Sequence, residues 1–175
     1  MNYRKQWQNA VKLGVLLITL SGCGYSISGS GKSQLPPHIH SLSIPVFING
    51  SGQPEVHRDL TDEVRRAFIS DGRIQVVDQE KGDLLLKGTL NHYAVRAISF
   101  NANDLVSEYW VEIGVAVVVT DTVKNEKFLS QNMKSKWNYR VTDNVVTTEQ
   151  ARKDALSQSY DDLSARMVSL LIDRF

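Results

Sequence analysis

Four histidines, one cysteine and a short row of cations are the residues of this chain whose types invite chemistry. His38 and His40 flank Ile39 and on a strand would share a face, as two metal ligands do. No cysteine or nearby Asp/Glu completes a coordination set around them, so they make a poor metal site. Gly29-Ser30-Gly31-Lys32-Ser33 has the end of a phosphate-binding loop, but the pattern's first glycine falls on Ser26. Leu35-Pro36-Pro37 then forbids the helix that must follow. No Gly-x-Ser-x-Gly elbow occurs, no Ser/His/Asp set has supporting context, and Asp161-Asp162 needs nothing beyond a solvated helix face. Lys134, Lys136 and Arg140 are different. On a strand they project from one side, each two-residue step spanning roughly 7 Å. Three cations in line suit phosphates, through charge-assisted hydrogen bonds. On a regular strand Arg96 and Lys87 take opposite faces, so only one can join the row, and Arg96 is the one assigned to it. The same row also suits a plain solvated face whose lysines discourage edge pairing. The chemistry on offer is binding, with no catalytic set and no cofactor.

The cysteine carries the second signal. Arg4, Lys5 and Lys12 precede the apolar run Leu13–Leu20, and Leu20-Ser21-Gly22-Cys23 follows at once. A basic n-region and an apolar stretch too short to span a bilayer read as an export signal over residues 1–22. Small residues at Ser21 and Gly22 let an extended backbone enter a peptidase cleft, and Cys23 behind them resembles the bacterial lipobox, whose thiol is acylated. The mature chain is then expected to start at Cys23, held in the membrane by acyl chains at about 0.8 kcal/mol per buried CH₂. Gly24, where aspartate would resemble an inner-membrane retention signal, favours the outer membrane, facing the periplasm.

These residues need a scaffold, and the remaining sequence describes one. Cleavage leaves 153 residues with 17 Lys+Arg against 19 Asp+Glu, enough for one sizeable core and too acidic for a nucleic-acid binder. The sole cysteine is used by the lipid, so no disulfide supports the fold. Residues 23–34, rich in Ser and Gly, form a flexible tether, and residues 35–175 form one domain. Ser41–Phe47 alternates as a short strand with Pro45 inside it, hence an edge or a bulge. Pro54 can open a helix at its first position, and Leu60, Val64, Ala67 and Phe68 continue it to Asp71-Gly72. Ile74–Val77 is a second short strand.

Asp83–Asn101, Glu108–Asp121 and Lys127–Val141 are long alternating segments. Tyr109, Val111, Ile113, Val115, Val117 and Val119 share one face of the second; Leu129, Met133, Trp137, Tyr139 and Val141 share one face of the third. Clean alternation predicts an antiparallel sheet with one face buried and one wet. Thr147 starts a last helix, with Gln150 completing a capping box. Its stripe of Leu156, Tyr160, Leu163, Met167, Leu170 and Leu171 should cover the apolar sheet face.

At this point the chain resembles the lipopolysaccharide-assembly lipoproteins called LptE. Cys23-Gly24-Tyr25-Ser26-Ile27-Ser28-Gly29 is similar to the family's start after cleavage. Leu35-Pro36-Pro37-His38-Ile39 leading to Ile44-Pro45-Val46-Phe47 and Asn49 resembles its first strand. Gly82-Asp83-Leu84-Leu85-Leu86-Lys87-Gly88 resembles its third, and Glu108-Tyr109 through Asp121 its fourth. The resemblance implies an α/β (α+β) two-layer sandwich, two helices on one face of a mixed, mainly antiparallel four-stranded sheet. It implies a lipoprotein that is not an enzyme, that plugs and helps assemble the LptD outer-membrane β-barrel, and that binds lipopolysaccharide. The family's own lipid-binding basic positions are not carried over. A different class also fits the residues: a periplasmic lipoprotein that activates or scaffolds a cell-wall enzyme.

Overall fold

The computed structural model describes residues 34–78 and 81–173. The expected signal peptide, Cys23 and the tether through residue 33 lie outside the described residues. The described chain forms β1 (Ser41–Ser43), β2 (Ile48–Asn49), α1 (Val56–Asp71), β3 (Gln75–Val77), β4 (Leu84–Phe100), β5 (Val106–Asp121), β6 (Glu126–Arg140) and α2 (Val145–Val168), closing on a π-helical turn, Ser169–Asp173. Among the described residues no helix is long and apolar enough to cross a membrane.

The sheet runs β3-β1-β4-β5-β6, with β2 also pairing to β4. Six strands replace the expected four, and the mainly antiparallel expectation is corrected as well: β1 pairs in parallel with β3 and β4, and β2 in parallel with β4. Only β4–β5 and β5–β6 are antiparallel. The figure of four comes from the family resemblance; the residue pattern itself gives five segments, with Ser41–Phe47 and Ile74–Val77 answering to β1 and β3. The strand it does not show is β2, whose two residues carry too little period to see.

β1 and β2 are one strand interrupted. Both lie on the same edge of β4, opposite Leu84–Leu85 and Thr89–Leu90, and Pro45 falls in the gap between them. The backbone freed by the interruption is satisfied from α1: Arg65 donates to the Ile44 carbonyl through Nε (2.9 Å) and Nη2 (2.6 Å), and Thr61 Oγ1 accepts from Phe47 N at 3.0 Å. Pro54 does not open α1. Its carbonyl accepts from Val56 N, and Glu55 makes the turn at φ 65°. At the other end Gly72, in the left-handed region, returns its N–H to Phe68 O, the stop its type predicted. The cap of α2 is Asn144 rather than a box on Thr147: its side chain accepts from Val146 N and Thr147 N, while Gln150 turns outward to Asp154.

One core joins the layers. Val111, Ile113, Val115, Val117 and Val119 of β5 are all at most 3% exposed, and meet Leu156, Tyr160, Leu163, Met167 and Leu171 of the C-terminal helix together with Leu60, Val64 and Phe68 of α1. Tyr109 and Tyr139 stack at 5.7 Å on this same side. The helical cover ends before the sheet does: Trp137, expected inside, is 38% exposed, and Ile98 and Phe100 near the β4–β5 turn are exposed too.

Candidate functional site

The face of the sheet away from the helices collects the cations, and strand register decides which. Val115 faces the core, so its neighbours Gly114 and Ala116 face outward, and alternate residues follow: Trp110, Glu112 and Val118 on β5. Across the strands these rows read His92–Gly114–Lys134, Ala94–Glu112–Lys136, Arg96–Trp110–Asn138 and Ser99–Glu108–Arg140. Lys134, Lys136 and Arg140 therefore project together, and Arg96 shares their side.

Lys87 shares it as well, against the expectation from a regular strand. Lys87 is opposite Val118 and Leu90 opposite Val115, but His92 is opposite Gly114, so Asn91 is an extra residue without a partner. This bulge moves one residue out of the count and resets the alternation. Thr89, His92, Ala94 and Arg96 thereby stay on the outward side with Lys87. Nothing in the alternation of polar and apolar residues marks Asn91 in advance.

The cations are not equivalent. Lys134 Nζ lies 3.2 Å from Glu112 Oε1, and His92 Nε2 is 3.1 Å from the same oxygen. The hydrogen bond from Lys134 is the main reason the Glu112 carboxyl is held below its ordinary range, against the opposing effect of burial. Lys136 Nζ sits 3.6 Å from the centroid of the Trp110 ring. Glu108 accepts from Asn138 Nδ2 at 2.7 Å. Among the described residues no carboxylate comes within ion-pair distance of Arg96 or Arg140. The face thus offers two unengaged guanidiniums and two ammonium groups in weak, exchangeable contacts, and both neighbouring carboxylates are already bonded.

His38 and His40 are engaged away from this face. His38 Nε2 is 2.7 Å from Asp121 Oδ2, while His40 uses its backbone N–H to reach Asp83 Oδ2 at 2.8 Å. Among the described residues no three His, Cys, Asp or Glu side chains gather as metal ligands. Asp162 is not merely solvated: it accepts from Ser135 Oγ at 2.6 Å and from Arg166 Nη2 at 2.8 Å, fastening the C-terminal helix to β6.

Two helices on one side of a mixed sheet, with a cation-lined opposite face, define a two-layer α+β domain without a catalytic constellation among the described residues. The chain belongs to the LptE family, lipopolysaccharide-assembly, whose model matches residues 39–171. No curated protein sequence matches it. Solved structures repeat the fold at low identity. A lipoprotein B from Nitrosomonas europaea is 17% identical, covering 86% of this chain and 92% of that one at a TM-score of 0.58. The rare lipoprotein B from Shewanella oneidensis is 15% identical, with coverage of 74% and 92% and a TM-score of 0.52. PelC from Paraburkholderia phytofirmans, a dodecamer, is 12% identical, with coverage of 81% and 96% and a TM-score of 0.54.

Proposed function

We propose that this chain is a non-enzymatic outer-membrane lipoprotein, anchored through acyl chains on Cys23 at the periplasmic face, that plugs and helps assemble an LptD-type β-barrel and binds lipopolysaccharide. In this reading residues 1–22 are removed, residues 23–34 tether the domain, and residues 35–175 form it. Lys134, Lys136, Arg140 and Arg96 receive the phosphates.

Family membership supports the assembly role. The observation that carries the binding role is the gathering of those four cations, from β4 and β6, beside two carboxylates that already have partners. An anionic headgroup laid across them meets four cations against the two carboxylates Glu108 and Glu112, and can take several charge-assisted hydrogen bonds. Among the described residues the helix-covered side of β5 presents apolar side chains committed to the core instead.

Two measurements test the reading. Affinity purification of the intact lipoprotein should recover a barrel protein in equal amount; a peptidoglycan enzyme recovered in its place would move the chain to the cell-wall alternative. The triple change Lys134→Glu, Lys136→Glu, Arg140→Glu should weaken lipopolysaccharide binding while the melting curve stays normal. Binding unchanged in that protein would reduce the row to solvated surface.

A further inference from the structure

Trp110 is out of place on a wet sheet face. Its neighbours there are Glu108, Glu112, Arg96 and Asn138, all polar or charged. Its Nε1–H is buried and, among the described residues, has no acceptor. A buried donor without a partner is uncommon enough in a native fold to need a reason.

The surroundings supply one. Arg96 is directly opposite Trp110 on β4, and Arg140 stands one outward step beyond Asn138, its opposite residue on β6. Among the described residues neither has a carboxylate partner. Glu108 and Glu112, two residues either side of the indole, are held by Asn138 and by Lys134 with His92. The ring face is covered by the ammonium of Lys136, an attraction between a cation and the negative face of the π-system. A phosphate is a stronger partner for that ammonium than the ring. The polarised C–H groups of a sugar ring are attracted to the same negative face the ammonium now occupies. An aromatic plate with cations around it has the parts needed to hold a phosphorylated sugar.

We infer that Trp110 is a stacking platform for a sugar ring of a phosphorylated glycolipid headgroup, uncovered when Lys136 leaves the indole to pair with the headgroup's phosphate. This rests on the lipopolysaccharide reading above and adds to it a sugar contact that the cations do not provide. Arg96 and Arg140 bracket the phosphate.

The chain has three tryptophans, Trp7, Trp110 and Trp137. In the full chain carrying Trp7→Phe and Trp137→Phe, Trp110 is therefore the sole indole, and its emission reports the platform directly. The emission should shift and saturate with lipopolysaccharide and, at higher concentration, with glucose 1-phosphate, while glucose or inorganic phosphate alone acts far more weakly. Trp110→Leu in the otherwise unchanged chain should weaken lipopolysaccharide binding by about tenfold, and Trp110→Phe by much less. Silent Trp110 emission at saturating lipopolysaccharide overturns the proposal. So does full affinity in a Trp110→Leu protein with a normal melting curve. A response to glucose 1-phosphate but not to lipopolysaccharide overturns the glycolipid assignment. If the triple charge reversal abolishes binding and Trp110→Leu does not, the platform is wrong and the cationic site stands. If the unmodified chain binds no lipopolysaccharide, both fall.

Discussion

The ammonium of Lys136 lies over the indole of Trp110, on the adjacent strand, with 3.6 Å between Nζ and the ring centroid. The contact crosses the sheet diagonally, since the residue directly opposite Lys136 is Glu112. Lys136→Met keeps the aliphatic stem and removes the charge, and repeating it in a Glu112→Gln background separates the cation–π attraction from the pull of Glu112 opposite. Urea unfolding should show a loss of about 0.5–1 kcal/mol, the size expected at an exposed site.

The two faces of β5 differ in what a charge would meet. Val115 is fully buried, whereas Val118 is 37% exposed. Val115→Asp buries a carboxylate with no partner and should cost several kcal/mol, a large part of a domain stability of about 5–15 kcal/mol. Val118→Asp should cost less than about 1 kcal/mol, as surface substitutions commonly do. Parallel melting curves of the two proteins decide the matter, and equal destabilisation would show the outward face to be covered.

Gly88 admits Phe47 to the core. A Cβ built on Gly88 comes within 2.6 Å of three Phe47 ring atoms, and Phe47 is only 2% exposed. Gly88→Ala should therefore destabilise by about 1–3 kcal/mol through overpacking. Pairing it with Phe47→Leu should recover part of the loss. A double-mutant cycle gives the coupling directly, and strictly additive losses would mean the ring simply moves aside.

Acid should loosen the start of the sheet. Asp83 accepts from the backbone N–H of His40 and from Ser41, tying β1 to β4, and these bonds hold its carboxyl below the ordinary range. Asp121 is lowered likewise, first by His38 and then by the backbone N–H of Lys124. Both groups bind protons more weakly folded than unfolded. Their stabilisation is complete above about pH 4, the ordinary aspartate region, and is lost as pH falls through the lowered folded values. Asp83→Asn and Asp121→Asn should be less stable at pH 7 and lose less additional stability below about pH 4. Denaturant midpoints across pH 2–7 measure both effects.

The family-like stretch Gly82–Gly88 gains a physical account from these contacts. A Cβ on Gly82 would come within 2.6 Å of the Ser43 backbone N, Asp83 binds the start of β1, and Gly88 makes room for an aromatic ring. The short strands beside β4 depend on all three.

Periodicity was enough for the long elements. Six consecutive odd positions on β5 are apolar, and one stripe runs the length of the C-terminal helix; burial then has only one consistent solution, because a strand repeats every two residues and a helix every 3.6. The stop at Gly72 was readable for the same local reason, a backbone conformation that glycine adopts freely. Pairing between distant segments was not readable. Strands of two or three residues form only where a neighbour satisfies their backbone groups, β4 for β2, β1 for β3 and both β3 and β4 for β1. The cap of the last helix is settled by which side chain reaches its free N–H groups, those of Val146 and Thr147, which is Asn144. The clearest case is Lys87 and Arg96. Nine residues apart, they belong on opposite faces of any regular strand, and one unpaired residue, Asn91, puts them on the same face. A bulge exists only relative to a partner strand, so the side on which Arg96 meets Lys134, Lys136 and Arg140 was decided by tertiary structure alone.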